Sequence, residues 1–169
     1  WRELYGMGEK PNEGSREDAA KVARKVRAME EHDERMGYEY RMNLADPAIF
    51  SKIGADRSIG QIFKDNGVRW QEAWNARGSR VNGAQEIIRL LSEDRLKIFS
   101  TCKHLLRTVP ALPPDDSNPE DVDTDAEDHL YDCLRYGVMR KRRSPYEEKS
   151  RDIPESDYTY DNGNISMVV

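Results

Sequence analysis

From Ser15 to Gly137, stretches with apolar residues at helical spacing are separated by short runs that alternate with a period of two. This mixture limits the fold, because a period near 3.6 buries one stripe of a helix and a period of two buries one face of a sheet. Ser15-x-x-Asp18 opens a predicted helix whose stripe is Ala19, Val22, Ala23, Val26 and Met29. Tyr38, Tyr40, Met42 and Leu44 alternate with Glu39, Arg41 and Asn43 as a strand, which ends at Ala45-Asp46-Pro47 because proline removes a ladder donor. Ile59, Ile62 and Phe63 mark a short helix closed at Asn66-Gly67, and residues 68–74 read as a further strand. Val81, Ala84, Ile87, Ile88 and Leu91 predict a helix, Leu96 to Phe99 a strand, and Leu105, Leu106 and Val109 a brief helix that Thr101 caps and Pro110 ends. Trp1 to Tyr5 reads as the end of a strand. The expected class is α/β, with helices packed on a mixed sheet.

Charged residues make up 35% of the chain, apolar residues 37%, and the net charge is -5. These values exclude a membrane protein and a strongly basic nucleic-acid binder, so any DNA affinity has to come from local patches. No apolar run approaches the roughly 20 residues of a membrane helix, and no signal-peptide pattern opens the chain, so the expected location is cytosolic. Cys102 and Cys133 are too few and too far apart for a disulfide framework or a zinc site; both are expected reduced and half-buried. Residues 1–139 are expected to form the domain. Residues 140–169, basic at Arg140, Lys141, Arg142 and Arg143 and polar beyond, read as a tail without a core of its own, with a possible hairpin turn at Asn162-Gly163.

The chemistry concentrates in Thr124 to Gly137. Thr124 and Glu127 have capping-box spacing, Gly137 suits a helix end, and Leu130, Cys133 and Leu134 form a buried stripe. Asp125, Asp128, His129 and Asp132 then share the other side, a face able to offer oxygen donors to a divalent cation. The alternative is a solvated face, since acids near a helix start gain roughly 0.3 to 1 kcal/mol each from the macrodipole. Asp46, just past the carboxyl end of a predicted strand, is the second candidate acid, with an Asp-Pro turn as its alternative.

Residues 127–136, Glu-Asp-His-Leu-Tyr-Asp-Cys-Leu-Arg-Tyr, resemble the motif that closes the nuclease domain of the large terminase subunit of tailed phages, Asp-His-x-x-Asp-x-x-Arg-Tyr. Leu44 to Phe50 is similar to the segment of that family that supplies its second metal-binding aspartate, Ala-Asp-Pro-Ala. Asn75-x-Arg77-x-x-Arg80-Val81-x-Gly83, residues 96–106 and residues 119–123 resemble further stretches in the same order. The resemblance covers about residues 1–139. It implies a ribonuclease-H-like fold and a metal-dependent endonuclease that cuts concatemeric double-stranded DNA during viral genome packaging. It also implies one or two Mg²⁺ or Mn²⁺ ions, with Asp46, Asp128, His129 and Asp132 as the ligand set. Asp46, His129 and Asp132 would be catalytic, and Asp128 would stand behind them. A histidine beside carboxylates can equally be a general base or an orienting partner.

The family's first metal-binding aspartate has no counterpart in these 169 residues, and no phosphate-binding loop of the G-x-x-x-x-G-K-[ST] kind occurs. Together with an initial Trp in place of Met, this leads to the expectation of the C-terminal portion of such a domain, incomplete at its N-terminal side and poorly active alone. Arg57, Arg69, Arg77 and Arg80 are candidate phosphate contacts, each alternatively a solvated charge. The Arg140 to Arg143 run is a stronger candidate, for DNA or as a docking arm for the portal protein or the small terminase subunit. The expected setting is the cytoplasm of an infected or lysogenic bacterial host. The second reading is a non-catalytic interaction module whose acidic helix is a solvated face.

Overall fold

The computed structural model describes residues 3–6, 14–40, 42–52 and 56–140. Helix α1 (Ala19–Arg35) starts where the Asp18 carboxylate accepts from the Lys21 backbone N–H at 2.9 Å, so Asp18, not Ser15, is its cap. Ala23 and Val26 are buried, and Gly37, at φ 85°, turns the chain away in a conformation that favours glycine. Helix α2 (Ile59–Asp65) is closed at Asn66-Gly67, as its sequence predicts, and the Ser58 hydroxyl caps its start. Phe63 and Val68 pack on Ala23 and Val26, giving a first core edged by Leu4, Ala19, Val22 and Trp70.

Helix α3 (Ser79–Ser92) carries Ile87 inward. Helix α4 (Lys103–Thr108) follows, and its predicted hydroxyl cap is absent: Cys102 holds the cap position. The Glu3 carboxylate takes over that role from far away in sequence, accepting from the His104 and Leu105 N–H groups at 2.6 and 3.2 Å. Pro110 does not stop the chain's winding at once, which continues as a 3₁₀ turn (Val109–Ala111). Helix α5 (His129–Met139) lies against α3 and α4. Ile87, Leu96, Leu105, Leu130, Tyr131, Leu134 and Val138 form the second core. Each fully buried aliphatic side chain there stabilises the fold by about 1.5 to 3 kcal/mol relative to exposure.

Strand content is smaller than the sequence predicts. Among the described residues the sheet is a parallel pair, β1 (Leu44–Ala45) and β2 (Gln71–Glu72), in register Leu44 to Gln71 and Ala45 to Glu72. Of the described residues in the expected strand over 38–44, Leu44 alone is strand. Tyr40 instead donates to Asp33 near the end of α1, and Tyr38 is exposed. Residues 96–99 lack a ladder partner among the described residues, although burial still alternates from Leu96 to Lys97 and Ile98. The chain mixes helix and strand, which is compatible with an α/β class. No described helix is long and apolar enough to cross a membrane. Trp1, Arg41, Lys141, Arg142, Arg143 and the Asn162-Gly163 turn lie outside the described residues.

Candidate functional site

Helix α5 begins four residues later than the capping box suggests. Residues 124–127 form turns, and α5 runs through Gly137 to Met139. Glu127 does not reach back to Thr124. Its carboxylate pairs with Arg107 at 2.7 Å and accepts from the Tyr5 hydroxyl. These partners hold Glu127 down to about 2 from its ordinary 4.5, the Arg107 bond first and Tyr5 second. Burial and the Glu127 carboxylate push Tyr5 up to about 12, so it remains a neutral donor.

The carboxylates of the predicted metal face meet an arginine. Arg80, the second residue of α3, directs Nε to Asp121 Oδ1 at 3.0 Å and Nη1 to both oxygens of Asp132 at 3.1 and 3.2 Å. Its Nη2 goes to Asp128 Oδ2 at 3.1 Å and the Val122 carbonyl at 3.3 Å. These five bonds match the five N–H donors of a guanidinium. Burial opposes the charge of Arg80, but Asp132, Asp121 and Asp128 outweigh it and raise its pKa. Tyr131 donates to the Arg80 carbonyl at 2.6 Å, which fixes the backbone beneath the cluster.

A second arginine lies deeper. Arg135 is 1% exposed. Its Nε and Nη2 meet Asp132 Oδ1 at 3.0 and 2.9 Å, Nη1 donates to Ser79 Oγ at 2.8 Å, and Nη2 to Asn75 Oδ1 at 3.2 Å. Its guanidinium stacks 4.4 Å from the centre of the Tyr136 ring. Asp132 Oδ1 therefore serves two guanidiniums. Asp128 is nearly buried, and burial, then the neighbouring Asp132 charge, raises its carboxyl pKa above the usual range.

Asp46 caps the turn that follows it, as an Asp-Pro turn would. Its Oδ1 accepts from the Ala48 N–H at 2.7 Å, capping the 3₁₀ turn Pro47–Phe50, and its Oδ2 accepts from the Tyr136 hydroxyl. Asp132 and Tyr136 are four residues apart on α5, hence on one face. The Asp46 bond thus brings the end of β1 to the same side of α5 as Asp132. The Cys133 thiol, pushed up to about 12 first by burial, feels both carboxylates.

His129 does not join them. Its ring is 67% exposed, and its recorded neighbour is Asp128, at 3.6 Å. Asp125 is exposed in the preceding turn. Among the described residues, no group of three or more His, Cys, Asp or Glu side chains stands ready to hold a metal. The carboxylates nearest to that role are gathered around Arg80 instead. Arg57 pairs with Asp65 at the surface, Arg69, Arg77 and Arg140 are exposed, and Arg80 is committed to its three carboxylates.

Sequence reasoning missed Asp121 as a member of the cluster. The loop that carries it is closed by a bridge between Pro114 and Val122 and by Asp115, which accepts from Ser117 and Asn118. The Asp-x-Ser-Asn spacing of that turn was the signal available. Arg135, Ser79 and Asn75 lay within stretches quoted for the resemblance, but no local pattern marked them as mutual partners. Both cysteines are free and half-buried, as expected. Compared with models of known families, with curated proteins and with solved structures, the chain matches none.

Proposed function

We propose that the chain is a metal-dependent DNA endonuclease module of the terminase type, with a ribonuclease-H-like plan, acting on double-stranded viral DNA in the host cytoplasm. The observation that carries this reading is the meeting of Asp46, at the carboxyl end of β1, with the Asp132 face of α5 through Tyr136. In open α/β sheets, functional groups gather at such strand ends. The carboxylates also tolerate a positive charge among them, since Asp121, Asp128 and Asp132 already surround a guanidinium. Asp46 and Asp132 would hold Mg²⁺ or Mn²⁺, with Asp128 behind them and His129 at the open edge. A bound divalent ion supplies Lewis acidity and an activated water for phosphodiester hydrolysis. The protein's own part is geometric. Tyr136 aims Asp46, Arg135 fixes one oxygen of Asp132, and exposed Arg77 and Arg140 offer charge to backbone phosphates, with Lys141, Arg142 and Arg143 beyond.

The test is Mn²⁺-dependent nicking of supercoiled plasmid by the 169-residue chain and by a form joined to a first strand bearing the family's first aspartate. The chain alone is expected to cut poorly and the joined form well, with activity lost in Asp46→Asn and Asp132→Asn variants that remain folded. Intact plasmid with every folded form removes the reading. The second reading, an interaction module, is favoured by the neutralisation of Asp128 and Asp132 by Arg80 and Arg135, which is what a structural cluster requires. Retention of DNA, portal protein or small terminase subunit without any cutting would select it.

A further inference from the structure

We infer that residues 3–5 form a releasable strap, which holds the first turn of α4 and the turn before α5 as one unit that opens while α3 and α5 stay folded. Glu3, Leu4 and Tyr5 are all half-buried. Glu3 and Tyr5 reach α4 and the turn before α5, whereas Leu4, between them, packs on the first core. Three consecutive residues thus touch both halves of the molecule. Just beyond them, the Gly6 carbonyl accepts from the Ser15 N–H at 3.2 Å, which brings the chain back beside the approach to α1.

The hold is made by side chains and is shared between the two segments. Cys102 gives α4 no side-chain cap, so without the Glu3 carboxylate the His104 and Leu105 N–H groups lose their acceptor. The Tyr5 and His104 ring centres are 4.8 Å apart, and the Tyr5 hydroxyl donates to Glu127. Arg107, further along α4, takes the same carboxylate at 2.7 Å. Strap, α4 and turn therefore close a ring of contacts, and breaking it at either Glu3 or Tyr5 loosens the other tie. Segments held by a few half-buried contacts open first, well below the free energy of global unfolding. Helices α3 and α5 are held differently, by Ile87, Leu130, Leu134 and Val138 in the second core and by the buried Arg135 bonded to Ser79. The turn leads directly into Asp128, which pairs with Arg80, so the opening reaches the rim of that cluster while Tyr131 keeps the Arg80 backbone in place.

The experiment is amide exchange on the full chain, comparing wild type, Glu3→Ala and Tyr5→Phe. The first pair of reporters is His104 and Leu105, bonded to Glu3. The second is Asp125 and Asp128, whose N–H groups donate to Asp123 Oδ1 and the Ala126 carbonyl at 2.9 Å each. If the strap makes one unit, either substitution quickens both pairs by the same factor, about five-fold for the loss of a typical hydrogen bond, and leaves α3 and α5 at their wild-type rates. An unchanged rate at the pair remote from the substitution, or equal quickening of α3 and α5, overturns the inference. Should a variant fail to fold, wild type in sub-denaturing urea decides. One opening curve shared by the four reporters and lying below that of α3 and α5 supports the strap; separate curves, or one curve common to the whole molecule, overturn it. Neither metal nor DNA enters the readout, so the outcome stands apart from that of the nuclease test.

Discussion

Arg135 shows how much one buried charge demands of its neighbours. Removing a guanidinium from water costs several kcal/mol unless its donors are paired. Asp132, Ser79 and Asn75 take those donors, and the Tyr136 ring covers the flat face. Gly83 follows from the same packing, since the Arg135 stem occupies the space of a missing side chain. Gly83→Ala should therefore destabilise by about 1 to 3 kcal/mol, the cost of overpacking. In an unconstrained helix the same change gains roughly 1 kcal/mol. Denaturant melts of the two forms decide the sign, and a more stable alanine variant would mean that the Arg135 stem yields. At this scale the turn at Asp46 was legible, because an acid before proline carries a local signal. Arg80 was read as facing DNA, but its partners on residues 121–132 are more than forty residues away, and no local pattern reports such a meeting.

The helices were legible as elements because each buries a stripe of its own sequence, and their ends were less so. Helix α4 takes its N-terminal acceptor from Glu3, and the turn before α5 is held by Glu127 on Arg107 and Tyr5. Both are long-range ties that displace the local capping rules read from Thr101 and Thr124. The two tyrosines of the predicted strand illustrate the other limit: period-two spacing predicts extended chain, but a strand needs a partner, and β1 pairs with β2 only over Leu44 and Ala45. The Glu127 tie has a pH signature. Its folded pKa, about 2, lies below the ordinary 4.5, so its stabilisation is complete above pH 4.5 and disappears as pH falls to about 2. Glu127→Gln should lower Tm by about 1 to 3 °C at pH 7, as befits a largely solvated pair. The difference should persist at pH 5 and close toward pH 2; a gap unchanged at pH 2 would assign the effect to packing.

Across the molecule, two cores are built separately, one from α1, α2 and Val68, the other from α3, α4 and α5. Leu4 and Tyr5 edge one each, and the Tyr136 bond to Asp46 joins α5 to the end of β1. Tyr136→Phe should cost about 1 kcal/mol, a typical hydrogen bond. Amide exchange should quicken around β1 and β2 while α3 and α5 keep their protection. Equal acceleration in both halves would show that the two cores open together. Packing periodicity made both cores legible, whereas their joint depends on a tyrosine and an aspartate ninety residues apart in sequence. The wedge of Arg135 over Gly83 reaches further than stability. It acts as a register pin: α5 cannot slide a turn along α3 without driving the stem into the helix backbone.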